Sequence, residues 1–288
     1  MPLPGAEPAQ PRGGRVPSLV IAPSGRFPRI GAGELWAYRG LFFFLVWRDI
    51  KVRYAQTVLG AAWALLQPLL TTVVFSVVFG MLARVPSDGV PYPVFALAAL
   101  VPWTYFSTAL TGSSNSLISN TNLITKVYFP RLVIPLAPVI AGLMDLVVGL
   151  ALLALVMLAY GILPSPLALV VVPVLVSIMV LTAAGVGCWL SALNIQYRDV
   201  KHVVPFLLQV WLYASPVLYP ASLVPERFRL LYALNPMVGV VEGFRAVLLG
   251  TGSVNWGMMA VSCGMGLLML VAGALYFRST ERVFADVA

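Results

Sequence analysis

Five stretches of this chain carry no charged residue: 54–83, 90–125, 146–197, 203–225 and 246–277. A bilayer crossing needs only ~20 predominantly apolar residues in one helix. The third stretch holds the rest of a crossing that begins before Asp145 and then a second one, with Pro164 and Pro166 marking the turn between them. The expected fold is an all-α integral membrane protein with six transmembrane helices, at about 57–83, 92–115, 132–160, 167–193, 203–221 and 256–277. Composition agrees: 60% of the residues are hydrophobic and 10% charged, against roughly 25% charged in an average soluble domain.

The net charge of +8 would suit nucleic acid if it were clustered on a soluble face, but its distribution argues for none. With a cytoplasmic N-terminus and six crossings, only Arg84, Arg227, Arg229 and Arg245 of the eighteen Lys and Arg fall outside. That positive-inside asymmetry orients the chain with both termini cytoplasmic. Cys188 and Cys263 both lie within apolar spans, where a thiol behaves as a small hydrophobe, so no disulfide is expected. One histidine and two distant cysteines make a metal site an unattractive reading. No cleavable signal peptide is expected, because more than thirty polar, Pro- and Gly-rich residues precede the first apolar run.

Residues 1–33 hold seven Pro, six Gly and four Arg, and are expected to form a disordered cytoplasmic tail. From Glu34 the pattern becomes amphipathic, with Trp36, Phe43, Trp47, Ile50 and Tyr54 at helical spacing; Arg48, Lys51 and an Asp49/Arg53 pair interrupt it too often for a span. An interfacial helix over 34–56, apolar face in the headgroup plane, is expected; the alternative is a helix packed on another subunit. The transmembrane domain covers 57–277, and 278–288 form a cytoplasmic tail. Between the fifth and sixth spans, 222–255 is longer than a simple connection. Asn235, Pro236, an amphipathic run to Leu249, then Gly250 and Gly252 read as an N-cap, a first-turn proline and a glycine stop. Too short and polar to span, the run suggests a short outer re-entrant helical hairpin, with Glu242 and Arg245 three apart and able to pair. A plain amphipathic surface helix is the other reading.

Groups for catalysis are scarce, with only ten acidic residues, and no G-x-x-x-x-G-K-[ST] run is present for a P-loop. The chain is therefore expected to be no enzyme and to bind no cofactor, neither binding nor hydrolysing ATP in isolation. Two short cytoplasmic loops look like docking elements, one from Ser116 to Arg131 with Leu123, Ile124, Val127 and Tyr128, the other carrying Gln196, Tyr197, Arg198, Asp199 and Lys201. Solvated loops with positive-inside charge explain their basic residues equally well. Asp145, fourteen residues past Arg131 and so roughly 21 Å along its helix, is the acid deepest in a span. No other ionisable group lies in the spans, which favours an interhelical hydrogen bond over a proton relay or substrate contact.

Thr104, Thr108, Thr111, Asn115 and Ser119 follow at spacings of three and four and draw one polar stripe down the second span. Trp103 and Phe106 stand beside it, Trp63 and Gln67 on the first span, and Phe206, Gln209 and Tyr213 on one face of the fifth. A pathway through the membrane that mixes hydroxyls with aromatic planes would be wet and apolar at once. Hydroxylated residues also serve helix packing and bond their own backbone, so both readings stand. The pathway reading places the stripe in a water-filled channel, with Leu97 and Leu110 facing lipid.

Four landmarks carry a family resemblance: Val52-Arg53-Tyr54-Ala55-Gln56-Thr57-Val58-Leu59-Gly60 leading to Trp63 and Pro68; Tyr128-Phe129-Pro130-Arg131; Tyr197-Arg198-Asp199-Val200; and Leu234-Asn235-Pro236-Met237 with Glu242-Gly243-Phe244-Arg245. With these in order from Glu34 onward, the chain resembles the membrane (permease) subunit of type-2 ABC exporters for lipid-linked polysaccharides such as O-antigen, capsule and teichoic acid. The resemblance implies a homodimer bound to two copies of a separate ABC ATPase, which would hold the ATP and Mg, with the channel at the dimer interface. It implies ATPase coupling through Asn120, Asn122 and Lys126 and through Tyr197, Arg198, Asp199 and Lys201. Asn235, Pro236, Glu242 and Arg245 are then expected to form an outer gate. The rivals are a drug or small-lipid ABC exporter, a secondary transporter, which usually shows repeats and midplane charges, and a membrane-embedded transferase, which would need clustered carboxylates or basic pairs.

Overall fold

The computed structural model describes residues 32–55, 62–127, 129–197, 199–250, 254–281 and 284. Residues 1–31 of the expected tail 1–33, the whole segment 56–61, which includes the end of the first landmark, Tyr128, Arg198, the expected stop Gly252 and most of the C-terminal tail lie outside the described residues, as does the side chain of Trp63. The described residues are helical apart from turns and connections. In order they form α1 (Ala32–Ala37), α2 (Arg39–Ala55), α3 (Ala62–Phe75) continuing into a π-helical segment (Ser76–Leu82), α4 (Tyr92–Ser119), α5 (Thr121–Lys126), α6 (Val133–Ala141), α7 (Leu143–Ala159), α8 (Ala168–Gln196), α9 (Val200–Tyr213), α10 (Glu226–Tyr232), α11 (Pro236–Leu249) and α12 (Trp256–Thr280).

Among the described residues, five helical stretches are long and apolar enough to cross a membrane: Leu65–Leu82, Tyr92–Ser119, Val133–Ala159, Ala168–Gln196 and Trp256–Thr280. They match the first, second, third, fourth and sixth expected spans. The segment expected as the fifth, 203–221, is different. Its helix α9 stops at Tyr213 after 14 residues, about 21 Å against a hydrocarbon core of ~30 Å. Pro216 and Pro220 follow, and neither can donate to a continuing helix.

Two ends of the bundle can be distinguished. At one, here the basal end, Leu117, Ile124, Phe129, Ile195, Phe277 and Phe284 form a cluster, and Arg131 donates to the Glu281 carbonyl at 2.6 Å. At the other, the distal end, Tyr92 donates to Leu218, Ser222 to Asp88, and the Ser165 amide to Val247.

The centre is built from α4, α8, α11 and α12. With no hydrophobic drive to join helices in lipid, close backbone approach and packing decide the contacts, and small residues mark them. A Cβ on Gly273 of α12 would fall on the Gly185 carbonyl of α8, and one on Gly185 would fall on the backbone of Met269 and Leu270. Gly187 faces Ser113, Gly239 faces Ser262, and Gly243 sits against Leu175. Because α11 enters this packing, eleven of its residues, from Pro236 to Leu249, are buried. It is not a surface helix. Gly250, at φ 68°, ends it in the left-handed conformation that glycine adopts without a steric penalty. Cys188 and Cys263 are free thiols.

The N-terminal segment breaks near Tyr38, and its apolar residues do not share one face. Leu45 is buried against Val133 and Ala137 of α6, whereas Trp36, Phe43 and Trp47 are exposed. The expected Asp49/Arg53 pair is not made. Asp49 pairs with Arg48 at 2.8 Å, and Arg53 pairs with Asp145 of α7. Tyr54 donates its hydroxyl to the same carboxylate. The helix leans along α6 so that its last turn reaches Asp145, a contact that spacing within one helix cannot reveal.

Candidate functional site

The end of α9 is the most unusual piece of backbone in the fold. A helix that stops inside an apolar bundle leaves carbonyls without partners, and unsatisfied groups are expensive where water is absent. Here each carbonyl from Ala214 to Tyr219 has a donor. Asn235 Nδ2 reaches Ala214 at 3.0 Å, and the Val217 amide reaches Ser215. Arg245 serves Pro216, Val217 (2.9 Å) and Tyr219 (3.3 Å). Tyr92 serves Leu218 at 2.8 Å.

Arg245 is 1% exposed. Its remaining contacts are the Phe95 carbonyl, the Phe95 ring with the guanidinium 3.5 Å from the centroid, and Glu242 at 3.2 Å. Only a planar fork of five donors can address so many acceptors at once. The expected Glu242–Arg245 pair is present, and Glu242 also accepts the Ala221 amide. Asn235 is the expected N-cap, accepting from Met237 N at 3.1 Å, and it also accepts from the Trp211 indole at 2.8 Å. Pro236 is buried at the start of α11. Three of the four residues expected as an outer gate, Asn235, Glu242 and Arg245, therefore converge on the interrupted end of α9 and the turn after it. Tyr92 and Trp211 belong to it too and were missed by sequence reasoning; Pro216 and Pro220 inside a supposed span were the signal that something had to cap the break.

The polar stripe lies on α4, the most deeply packed of the five membrane-length stretches. Thr108 and Ser119 are exposed, and Thr104, Ser107, Thr111 and Asn115 half-buried, so what this helix leaves uncovered is mainly its polar side. Several of the side chains turn back on their own helix: Thr111 donates to Ser107, Asn115 to Thr111 and Ser119 to Asn115. Asn115 also accepts from Asn194 of α8 at 3.0 Å. Trp103 and Phe106 are not on the open side. At 7% and 0% exposure they sit in the core, Phe106 edge-on to Trp211 with ring centroids 5.0 Å apart. Leu97 and Leu110 are fully buried and do not face lipid, because α8 and the other core helices cover that side. Phe206, Gln209 and Tyr213 are exposed on α9, and Gln67 is exposed on α3.

At the basal end, Asn122, Lys126, Tyr197, Asp199 and Lys201 are exposed. Asn120 is instead tied to α2, accepting from Arg48 Nη1 at 2.8 Å. The Arg53–Asp145–Tyr54 contact holds the same helix at its other end. Burial, and next the hydrogen bond to the carboxylate, push the Tyr54 phenol up to about 12, so it remains a donor at any physiological pH. Breaking one partner of a partly buried pair strands the other, so Arg53→Met and Asp145→Asn should each lower thermal stability. In a double-mutant cycle the two losses should overlap by ~1–3 kcal/mol. Strict additivity in purified protein would show that the pair is not coupled.

A bundle with five membrane-length helical stretches, a broken helix and a side-chain-capped end defines a multi-span helical membrane protein. Comparison with known proteins narrows the class. The model of the ABC-2 type transporter family matches residues 40–249, and the chain belongs to that family. It is 33% identical over 256 residues to the O-antigen export system permease protein RfbA of Myxococcus xanthus, covering 88% of this chain and 97% of the relative. A protein of the same name from Klebsiella pneumoniae is 28% identical over 240 residues, 83% of this chain and 92% of the relative. The polysialic acid transport protein KpsM of Escherichia coli is 25% identical over 242 residues, 81% and 91%. Membership in this family sets aside the secondary transporter.

Proposed function

We propose that this chain is the channel-forming permease subunit of an ATP-driven exporter that moves a lipid-linked polysaccharide, O-antigen foremost, across the inner membrane. The names of its relatives support the cargo class. The observation that carries the pathway is the uncovered polar side of α4, with Phe206, Gln209 and Tyr213 exposed on α9. A membrane-crossing helix does not leave a polar stripe to lipid without cost; water and glycan in a channel between two copies of the chain would satisfy it.

In this reading the basal end faces the cytoplasm, which its basic residues favour, and both termini lie on that side. The exposed Asn122, Lys126, Tyr197, Asp199 and Lys201 meet a separate ATPase, two copies serving a homodimer, and ATP and Mg are held by that partner. Segment 34–56 is an interfacial helix fastened through Arg53 to Asp145. The fifth crossing is α9 with the capped turn 214–220, and 222–255 re-enters from the outer side as a gate whose shape Asn235 and Arg245 hold. ATP binding would bias the channel only by favouring one conformation over the other.

The test is the location of the glycan in cells lacking the chain. Lipid-linked polysaccharide should accumulate inside, and the wild-type chain should restore it to the surface only beside an active ATPase partner. Normal surface glycan without the chain would overturn the proposal.

A further inference from the structure

A cavity of about 460 Å³ opens at the distal end between the loop before α4, the turn after α9, α10, the middle of α11 and the start of α12. That volume lies within the ~300–1,000 Å³ range of small-molecule sites. Its lining includes Asp88, Ser222, Arg229, Glu242 and Trp256. Glu242 uses Oε1 for the Ala221 amide and Arg245, and Asp88 uses Oδ1 for Ser222 Oγ at 3.0 Å. No described protein group donates to the second oxygen of either carboxylate. Arg229 donates to the Val224 and Ser222 carbonyls. Trp256, first residue of α12, is 56% exposed.

We infer that this cavity is a sugar subsite, resting on the polysaccharide-export reading, that receives one or two neutral sugar units of the glycan as they leave the channel. Two free carboxylate oxygens accept only, so they select a ligand rich in hydroxyl donors. The indole offers an apolar plane to the C–H face of a pyranose and a polar N–H at its edge. With Arg229 engaged by those carbonyls, nothing in the lining calls for an anionic ligand. The cavity lies against Glu242 of the network that holds the α9 break, so a sugar seated there would touch the gate itself.

The test uses the purified full chain in lipid nanodiscs and saturation-transfer difference NMR. The probe is the source cell's own surface polysaccharide, released from its lipid by mild acid. Transfer to sugar ring protons is expected with the wild type and should fall about tenfold in Trp256→Ala and in Asp88→Asn. Both side chains are exposed, so neither change threatens the fold. No transfer with the wild type, or equal transfer with all three proteins, overturns the subsite. So does a signal that requires added calcium, because the carboxylates would then be cation ligands. If the glycan accumulates inside cells lacking the chain while the NMR signal is absent, the subsite alone fails; if it reaches the surface without the chain, both readings fail.

Discussion

Arg245→Met should abolish export and leave a chain that inserts but does not form a stable fold. Methionine fills much of the space yet donates no hydrogen bond. The carbonyls of Pro216, Val217, Tyr219 and Phe95 lose a donor together, and Glu242 loses its partner. Each buried group left unsatisfied costs ~1–3 kcal/mol, so the sum is comparable to the whole ~5–15 kcal/mol of a typical fold. Arg245→Lys keeps the charge and up to three donors but not the planar fork, and should recover part of the loss. Glu242→Gln keeps an acceptor for Ala221 and Arg245 and should cost least. Melting of the three detergent-solubilised variants gives the order directly. Methionine melting with the wild type would mean that the break in α9 does not depend on Arg245.

Gly273→Ala should be nearly as damaging, for a different reason. The added methyl would meet the Gly185 carbonyl, a backbone atom with no rotamer to escape into. The pair α8 and α12 must then separate along a contact that both helices make with small residues. Overpacking usually costs ~1–3 kcal/mol and more where nothing can yield, so the upper end is expected. Gly264, on the same helix, has nothing within 4 Å of the position its Cβ would take. Gly264→Ala should be neutral or stabilising by up to ~1 kcal/mol, the difference in helix propensity. Equal melting temperatures for the two variants would contradict the packing described here.

What the sequence reveals about this fold is what local chemistry dictates. Uncharged length pointed to five helical stretches that are long and apolar enough to cross a membrane among the described residues, and Asn235, Pro236 and Gly250 bounded α11 because caps and stops are properties of neighbouring residues. The Glu242–Arg245 pair was legible for the same reason, being one helical turn apart. The rest depended on which helices meet. Arg53 passes over the nearby Asp49 for Asp145, 92 residues on, and no periodicity announces that. Trp103 and Phe106 stand beside a polar stripe in sequence yet point into the core, because α4 is packed on several sides. The end of α9 escaped for a third reason. Apolar length alone cannot tell a full crossing from a short helix followed by a turn whose carbonyls are served from α4 and α11.

The central claim, an ATP-dependent permease for a lipid-linked polysaccharide, is tested most directly by where the glycan lies when the chain is removed. In cells without it, intact lipid-linked polysaccharide should be found only inside the inner membrane, out of reach of an externally added glycan-degrading enzyme. Restoring the chain with an active ATPase partner should return the glycan to the enzyme's reach, and restoring it with an ATPase unable to hydrolyse ATP should not. Glycan that stays equally degradable from outside in all of these cells would contradict the account.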